Sequence, residues 1–199
     1  MYAVCLFLLT IWWGRVWGDA SACPYTHMED VVEGRTSFKE MALRSWAELM
    51  GGCCVYRVVQ VFWWLELAET HRGRAFEACN ADLQVSPYLG AVIEGVATLL
   101  CRLASKTISE KEPRFGSYID SFIGTSLVVA AFNFSGGYFN PVLATALKWG
   151  CRGHTHLEHI IVYWIGACAG AVLSIPVFKV PAVRRLLLGE GSASKSKQE

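Results

Sequence analysis

Apolar positions along this chain fall in long blocks separated by polar connections. Five blocks stand out, at about 1–17, 41–66, 87–105, 117–135 and 159–178. Ser121 to Leu147 and Ile160 to Phe178 contain no Asp, Glu, Lys or Arg. A helix over the nineteen residues 160–178 is long enough to cross a hydrocarbon core about 30 Å thick. The pattern predicts an all-α integral membrane protein with about five spans. The second block carries Arg44, Glu48 and Arg57, and each charge costs roughly 2.5–3.5 kcal/mol at a helix centre on the insertion scale. Arg44 and Glu48, one turn apart, are expected to pair, and Arg57 to find a partner or a wet cavity. Glu94 and Asp120 are single acids in otherwise apolar helices.

The first block opens at the N-terminus and admits two readings. Ala20-Ser21-Ala22 resembles a small-residue cleavage site, which suggests a signal peptide. Against this, the run lacks a positive n-region, and Arg15 and Asp19 lie between the apolar core and that site. A span ending at Arg15 with interfacial Trp12, Trp13 and Trp17 fits better.

Composition agrees with a membrane chain. Of the 199 residues, 53% are hydrophobic and 18% charged, where an ordinary soluble domain has about 25% charged. The mean hydropathy is +0.33. A net charge of +1 without a basic stripe leaves no footprint for nucleic acid. The basic residues are distributed unevenly between connections. Arg15, Arg35, Lys39, Arg102, Lys106, Lys111, Arg114, Lys179, Arg184, Arg185, Lys195 and Lys197 fall on one side of a five-span path. The other side holds Arg72, Arg74, Lys148 and Arg152. Positive loops stay cytosolic, so residues 1–180 form the membrane domain and 181–199 a cytosolic tail.

The most informative segment is Ser135-Gly136-Gly137-Tyr138-Phe139-Asn140-Pro141-Val142-Leu143. Asn is a good N-cap, and Pro at the first helical position needs no N–H. A helix from Pro141 to about Trp149 rises only about 14 Å, half a bilayer. Its N-terminus carries partial positive charge, suited to orienting a dipolar solute and repelling cations. A second box, Ala22-Cys23-Pro24-Tyr25-Thr26, precedes a short helix to Gly34. Met41 lies 17 residues after Pro24, and Glu158 lies 17 after Pro141. Matched broken helices in two halves point to a midplane site in an inverted repeat. Two spans precede the second box and one precedes the first, so the first half is expected to lack one span.

These boxes, with the carboxylate of Glu94 two spans before the second half-helix, resemble the aquaporin (major intrinsic protein) family. Asn-Pro-Val replaces the family's usual second Asn-Pro-Ala, Cys-Pro-Tyr replaces the first, and Leu143 stands at the usual Arg position. Leu143, and Cys151 eleven residues beyond Asn140, are similar to the unorthodox eleven/twelve-like group, and Cys-Pro-Tyr to its insect branch. The resemblance implies five spans plus two half-helices around a pore, with the first span missing. It implies that Cys23, Pro24, Tyr25, Asn140, Pro141 and Val142 form the pore boxes. Asn140 would donate to passing water, whereas the Cys23 thiol is a weaker donor. Leu143 would make the mouth less polar, and Glu94 would accept bonds from loop backbone. The resemblance also implies a bilayer environment and a homotetramer.

The remaining motifs add less. Cys79 and Cys151 should face one lumenal or extracellular side, where an oxidising compartment would join them. Cys151, His154, His156 and His159 fit no standard zinc spacing, so no metal or other cofactor is expected. Gly166-x-x-x-Gly170 and Ala91-x-x-x-Gly95 either allow close helix packing or merely fill space with small residues. No nucleophile–base set or phosphate loop is visible, so an enzyme is not expected. Lys195 and Lys197 resemble a dilysine retrieval signal read by cytosolic coat proteins, which implies the endoplasmic reticulum. The alternative for that end is a solvated Ser/Lys/Gly tail. The function expected is passive permeation of water or small neutral solutes, glycerol or hydrogen peroxide among them. The rival is a truncated, non-conducting isoform or structural membrane subunit.

Overall fold

The structure is a computed structural model and describes residues 2–17 and 20–189. Among these residues the chain is helical and forms no named strand. Helix α1 covers Tyr2–Val16, α2 Pro24–Val32, α3 Phe38–Trp64, α4 Pro87–Lys111, α5 Gly116–Ala131 and α6 Pro141–Lys148. Helix α7 runs His156–Lys179, and α8 covers Pro181–Leu188.

Helices α4 and α7 are long and apolar enough to cross a membrane, and α1 is a shorter apolar helix. Helix α4 outlasts its apolar block because Lys106, Glu110 and Lys111 continue it beyond the hydrophobic stretch. It stops at Glu112, whose backbone is left-handed. Helix α5 ends four residues short of its block. Gly136 and Gly137 beyond it adopt φ of +94° and +64°, conformations a helix cannot use. A Cβ on Gly137 would lie 2.6 Å from the Val128 carbonyl oxygen, so the chain turns there against α5 itself.

The centre of the fold is the crossing of α4 and α7. An ideal Cβ on Gly95 would lie 2.9 Å from the Gly166 oxygen, and one on Gly170 only 2.0 Å from the Gly95 oxygen. The two backbones therefore meet directly, and the glycine spacing serves close packing. Beside this contact Ile160–Gly166 winds as a π-helix, a local widening common where helices carry special contacts. Helix α1 packs on α5 and α5 on α4, while α3 runs along α2 and α6. The exposed side chains of this bundle are largely apolar, with Leu8, Leu9, Val92, Val96, Ile165 and Leu173 among them, as a lipid-facing surface requires.

The expected Arg44–Glu48 pair does not form, while Arg57 finds a partner as expected. Arg44 pairs with Glu40 on the exposed side of α3. Glu48 instead turns toward α2, where His27 Nε2 lies 3.0 Å from its Oε1. Arg57 donates to Gln60 at 3.1 Å on the same helix. The first residues of the expected tail form α8, whose Arg184 pairs with Glu110 of α4.

Candidate functional site

The two proline boxes meet. Cys23 and Asn140 are the N-caps of α2 and α6, with similar extended backbones of φ −143°, ψ 120° and φ −148°, ψ 110°. Extended geometry at the cap, followed by proline, frees the first turn to begin abruptly. Asn140 Oδ1 accepts from the N–H groups of Val142 at 3.0 Å and Leu143 at 3.2 Å. Its Nδ2 donates to the Ala22 carbonyl at 2.7 Å. The Cys23 thiol, which caps nothing, points at the Phe139 carbonyl at 3.9 Å. Neighbours close the first box in its place. The Thr26 hydroxyl donates to the Cys23 carbonyl at 2.8 Å, and Ser21 Oγ accepts from the Cys23 N–H at 3.2 Å.

The half-helices leave this meeting point in opposite directions. Near its end, α2 carries Glu29, which holds Arg102 of α4 through two bonds of 3.0 and 2.6 Å. At the end of α6, Lys148 reaches back toward the other end of α4. It donates to the Asn80 carbonyl at 2.9 Å and to Asp82 at 3.0 Å. Two positive helix ends thus face one spot in the protein.

Glu94 fixes the segment leading into the second box. It is fully buried on α4. Its Oε1 accepts from Ser135 Oγ at 2.6 Å and Tyr138 N–H at 3.2 Å, and its Oε2 from Phe139 N–H at 2.7 Å. Phe139 needs this support because its own φ is +45°, rare for a bulky residue. The Tyr163 hydroxyl adds a 2.7 Å bond to the Ser135 carbonyl from α7.

Leu143, in the first turn of α6, is half-exposed and its side chain offers no polar group. Beyond the end of α6 a cavity of about 690 Å³ opens, lined by Tyr56, Trp63, Arg74, Asp82, Leu147 and Lys148 among others. Cys79 and Cys151 are bonded beside it, their Cα atoms 4.9 Å apart. The backbones there pair as well, Ala81 N–H to the Arg152 carbonyl at 2.7 Å and Arg152 N–H to the Cys79 carbonyl at 3.0 Å. In the histidine cluster, His154 and His159 bond directly to each other at 2.9 Å, while His156 stacks on Trp149. Lys195 and Lys197 lie outside the described residues.

The Glu29–Arg102 and His27–Glu48 pairs escaped sequence reasoning. Arg102 counted there as a loop cation; it lies within α4, with Glu29 almost wholly buried against it. The available signal was the acidic pair Glu29-Asp30 on the short helix after the first box, where a membrane setting requires an acid to find a partner.

No protein-family model matches the chain. Curated proteins do. Aquaporin-11 of Milnesium tardigradum is 28% identical over 179 residues, 89% of this chain and 64% of its own length. Putative aquaporin-12A of Homo sapiens is 27% identical over 172 residues, 85% of this chain and 58% of its own. Human aquaporin-11 is 27% identical over 158 residues, 79% of this chain and 58% of its own. The chain thus spans 58–64% of the length of these relatives. Paired proline boxes on opposed half-helices, a buried carboxylate behind the second, and these alignments agree: over most of its length the chain is similar to aquaporins of the unorthodox aquaporin-11/12 group.

Proposed function

We propose that this chain forms a membrane channel for passive permeation of water and small neutral solutes, with glycerol and hydrogen peroxide in range. The observation that carries the reading is the meeting of the two half-helix N-termini, where Asn140 bonds across to Ala22. Its amide has two N–H groups and spends one there, leaving the second for a passing oxygen. The paired helix ends oppose cations electrostatically. Leu143 in place of a cation gives the mouth an apolar side, which favours solutes larger than water. Glu94 acts as scaffold for the box. A homotetramer, residence in the endoplasmic reticulum and retrieval through Lys195 and Lys197 by coat proteins belong to the same reading. Vesicles containing the chain, exposed to impermeant and then glycerol gradients, should swell well above empty vesicles. Leak-level permeability to water, glycerol and peroxide alike would refute it.

A second reading, a non-conducting structural subunit, draws on one feature. Helix α3 buries no residue and α1 buries only Ile11, so the flank of the boxes between them is uncovered by the described residues. The same swelling experiment separates the two.

A further inference from the structure

We propose that His154 and His159 form a proton-sensitive latch that holds half-helix α6 in place, so that acid on the disulfide side loosens it. The latch is a chain of hydrogen bonds from the loop before α7 into α6. His154 Nε2 lies 2.9 Å from His159 Nδ1, and His159 Nε2 lies 3.2 Å from Thr145 Oγ1 on α6. Trp164 Nε1 donates to the same hydroxyl at 2.9 Å. His159 is fully buried, with the rings of Trp149 and Tyr163 at 5.1 and 4.9 Å. Thr145 is the point in this chain of bonds that belongs to α6; Trp164 ties it to α7 directly, and the histidine pair adds the tie that runs on into the loop before α7.

Two facing imidazole nitrogens can share only one proton. One must donate and the other accept, so the bond requires a neutral acceptor. A further proton has no good place. His154 Nδ1 is buried without a partner among the described residues, and an N–H there would stay unsatisfied. A proton on the accepting nitrogen would set two donors against each other.

The surrounding charges offer little relief. Glu158 on the first turn of α7 is the nearby acid, and its carboxylate is engaged by Thr155 through bonds of 2.7 and 2.9 Å. Lys148 at the end of α6 and His156 on α7 oppose a second positive charge. Burial is the largest influence on His154 and pushes its imidazole below the ordinary range; Glu158 pulls the other way. The closed latch therefore binds fewer protons than an opened one. Its stability is complete above the ordinary imidazole value of about 6.5 and declines as pH falls below it.

Hydrogen exchange on the full chain in lipid vesicles tests this, with rates corrected for the intrinsic effect of pH. An imidazole of ordinary pKa that stays neutral when closed favours the open form about tenfold at pH 5.5. The amides of α6 should therefore exchange up to about tenfold faster at pH 5.5 than at pH 7.5. His154→Gln should abolish the difference, because its side-chain amide can donate to or accept from His159 but takes up no proton. His159→Gln serves as a second variant if the first does not fold. An unchanged rate in the native chain, or the same acceleration in a folded variant, overturns the latch. Its effect on permeation rests on the channel reading and is measured separately. Vesicles that conduct at neither pH refute that reading, while the exchange result still decides the latch.

Discussion

The side-chain amide of Asn140 donates to the carbonyl of Ala22 across 2.7 Å, joining boxes 118 positions apart. The same side chain caps α6 through its oxygen. Asn140→Ala removes both functions, and loss of an N-cap alone costs about 1–2 kcal/mol. Cys23→Ala removes no cap and sacrifices only a buried sulfur. Denaturant titration in detergent should find the Asn140 variant the less stable of the two.

Glu94 cannot be replaced by its amide. Both of its oxygens accept from backbone N–H groups, so a glutamine must turn an NH₂ toward a donor. One buried donor, the N–H of either Tyr138 or Phe139, is left unpaired, at about 1–3 kcal/mol. Glu94→Gln should lower the unfolding free energy in a denaturant titration by that amount, and Glu94→Asp should not restore it because the carboxylate falls short.

Glycines on α3 and α7 should respond oppositely to alanine. At Gly170 the added carbon would meet the Gly95 carbonyl oxygen at 2.0 Å, and separating α4 from α7 should cost about 1–3 kcal/mol or more. At Gly51 there is open space, and alanine in a helix interior gains about 1 kcal/mol over glycine. Thermal unfolding of the two variants in detergent, read beside the native chain, checks both signs.

Leu143→Arg should narrow the proposed mouth and place a cation there. Water permeability should be retained and the glycerol-to-water ratio should fall. An unchanged ratio in conducting vesicles would remove Leu143 from the selectivity region.

The second box was legible because its chemistry is local: Asn before Pro caps a helix wherever the chain places it. The five apolar blocks were legible for a similar reason, since length and absence of charge are properties of a segment. Pairings between segments were not. Arg44 and Glu48 share one helix face by spacing, yet Glu48 bonds to His27 because α2 packs against that face. Arg102 read as a loop cation because its partner, Glu29, lies 73 positions away. The end of α5 depended on Gly137 lying against Val128, and the π-helical stretch of α7 on its approach to α4. No local pattern encodes either contact.

The bond between Cys79 and Cys151 turns the intervening chain into a closed covalent ring that contains α4, α5 and α6. Lys111 at the end of α4 and Arg114 in the connection to α5 are exposed, both open to trypsin. A single cut there opens the ring without dividing the molecule. The nicked chain keeps its full mass until a reductant is added, and only then separates into two fragments. Topologically, the half of the chain that carries Cys23 and the half that carries Asn140 are therefore linked twice.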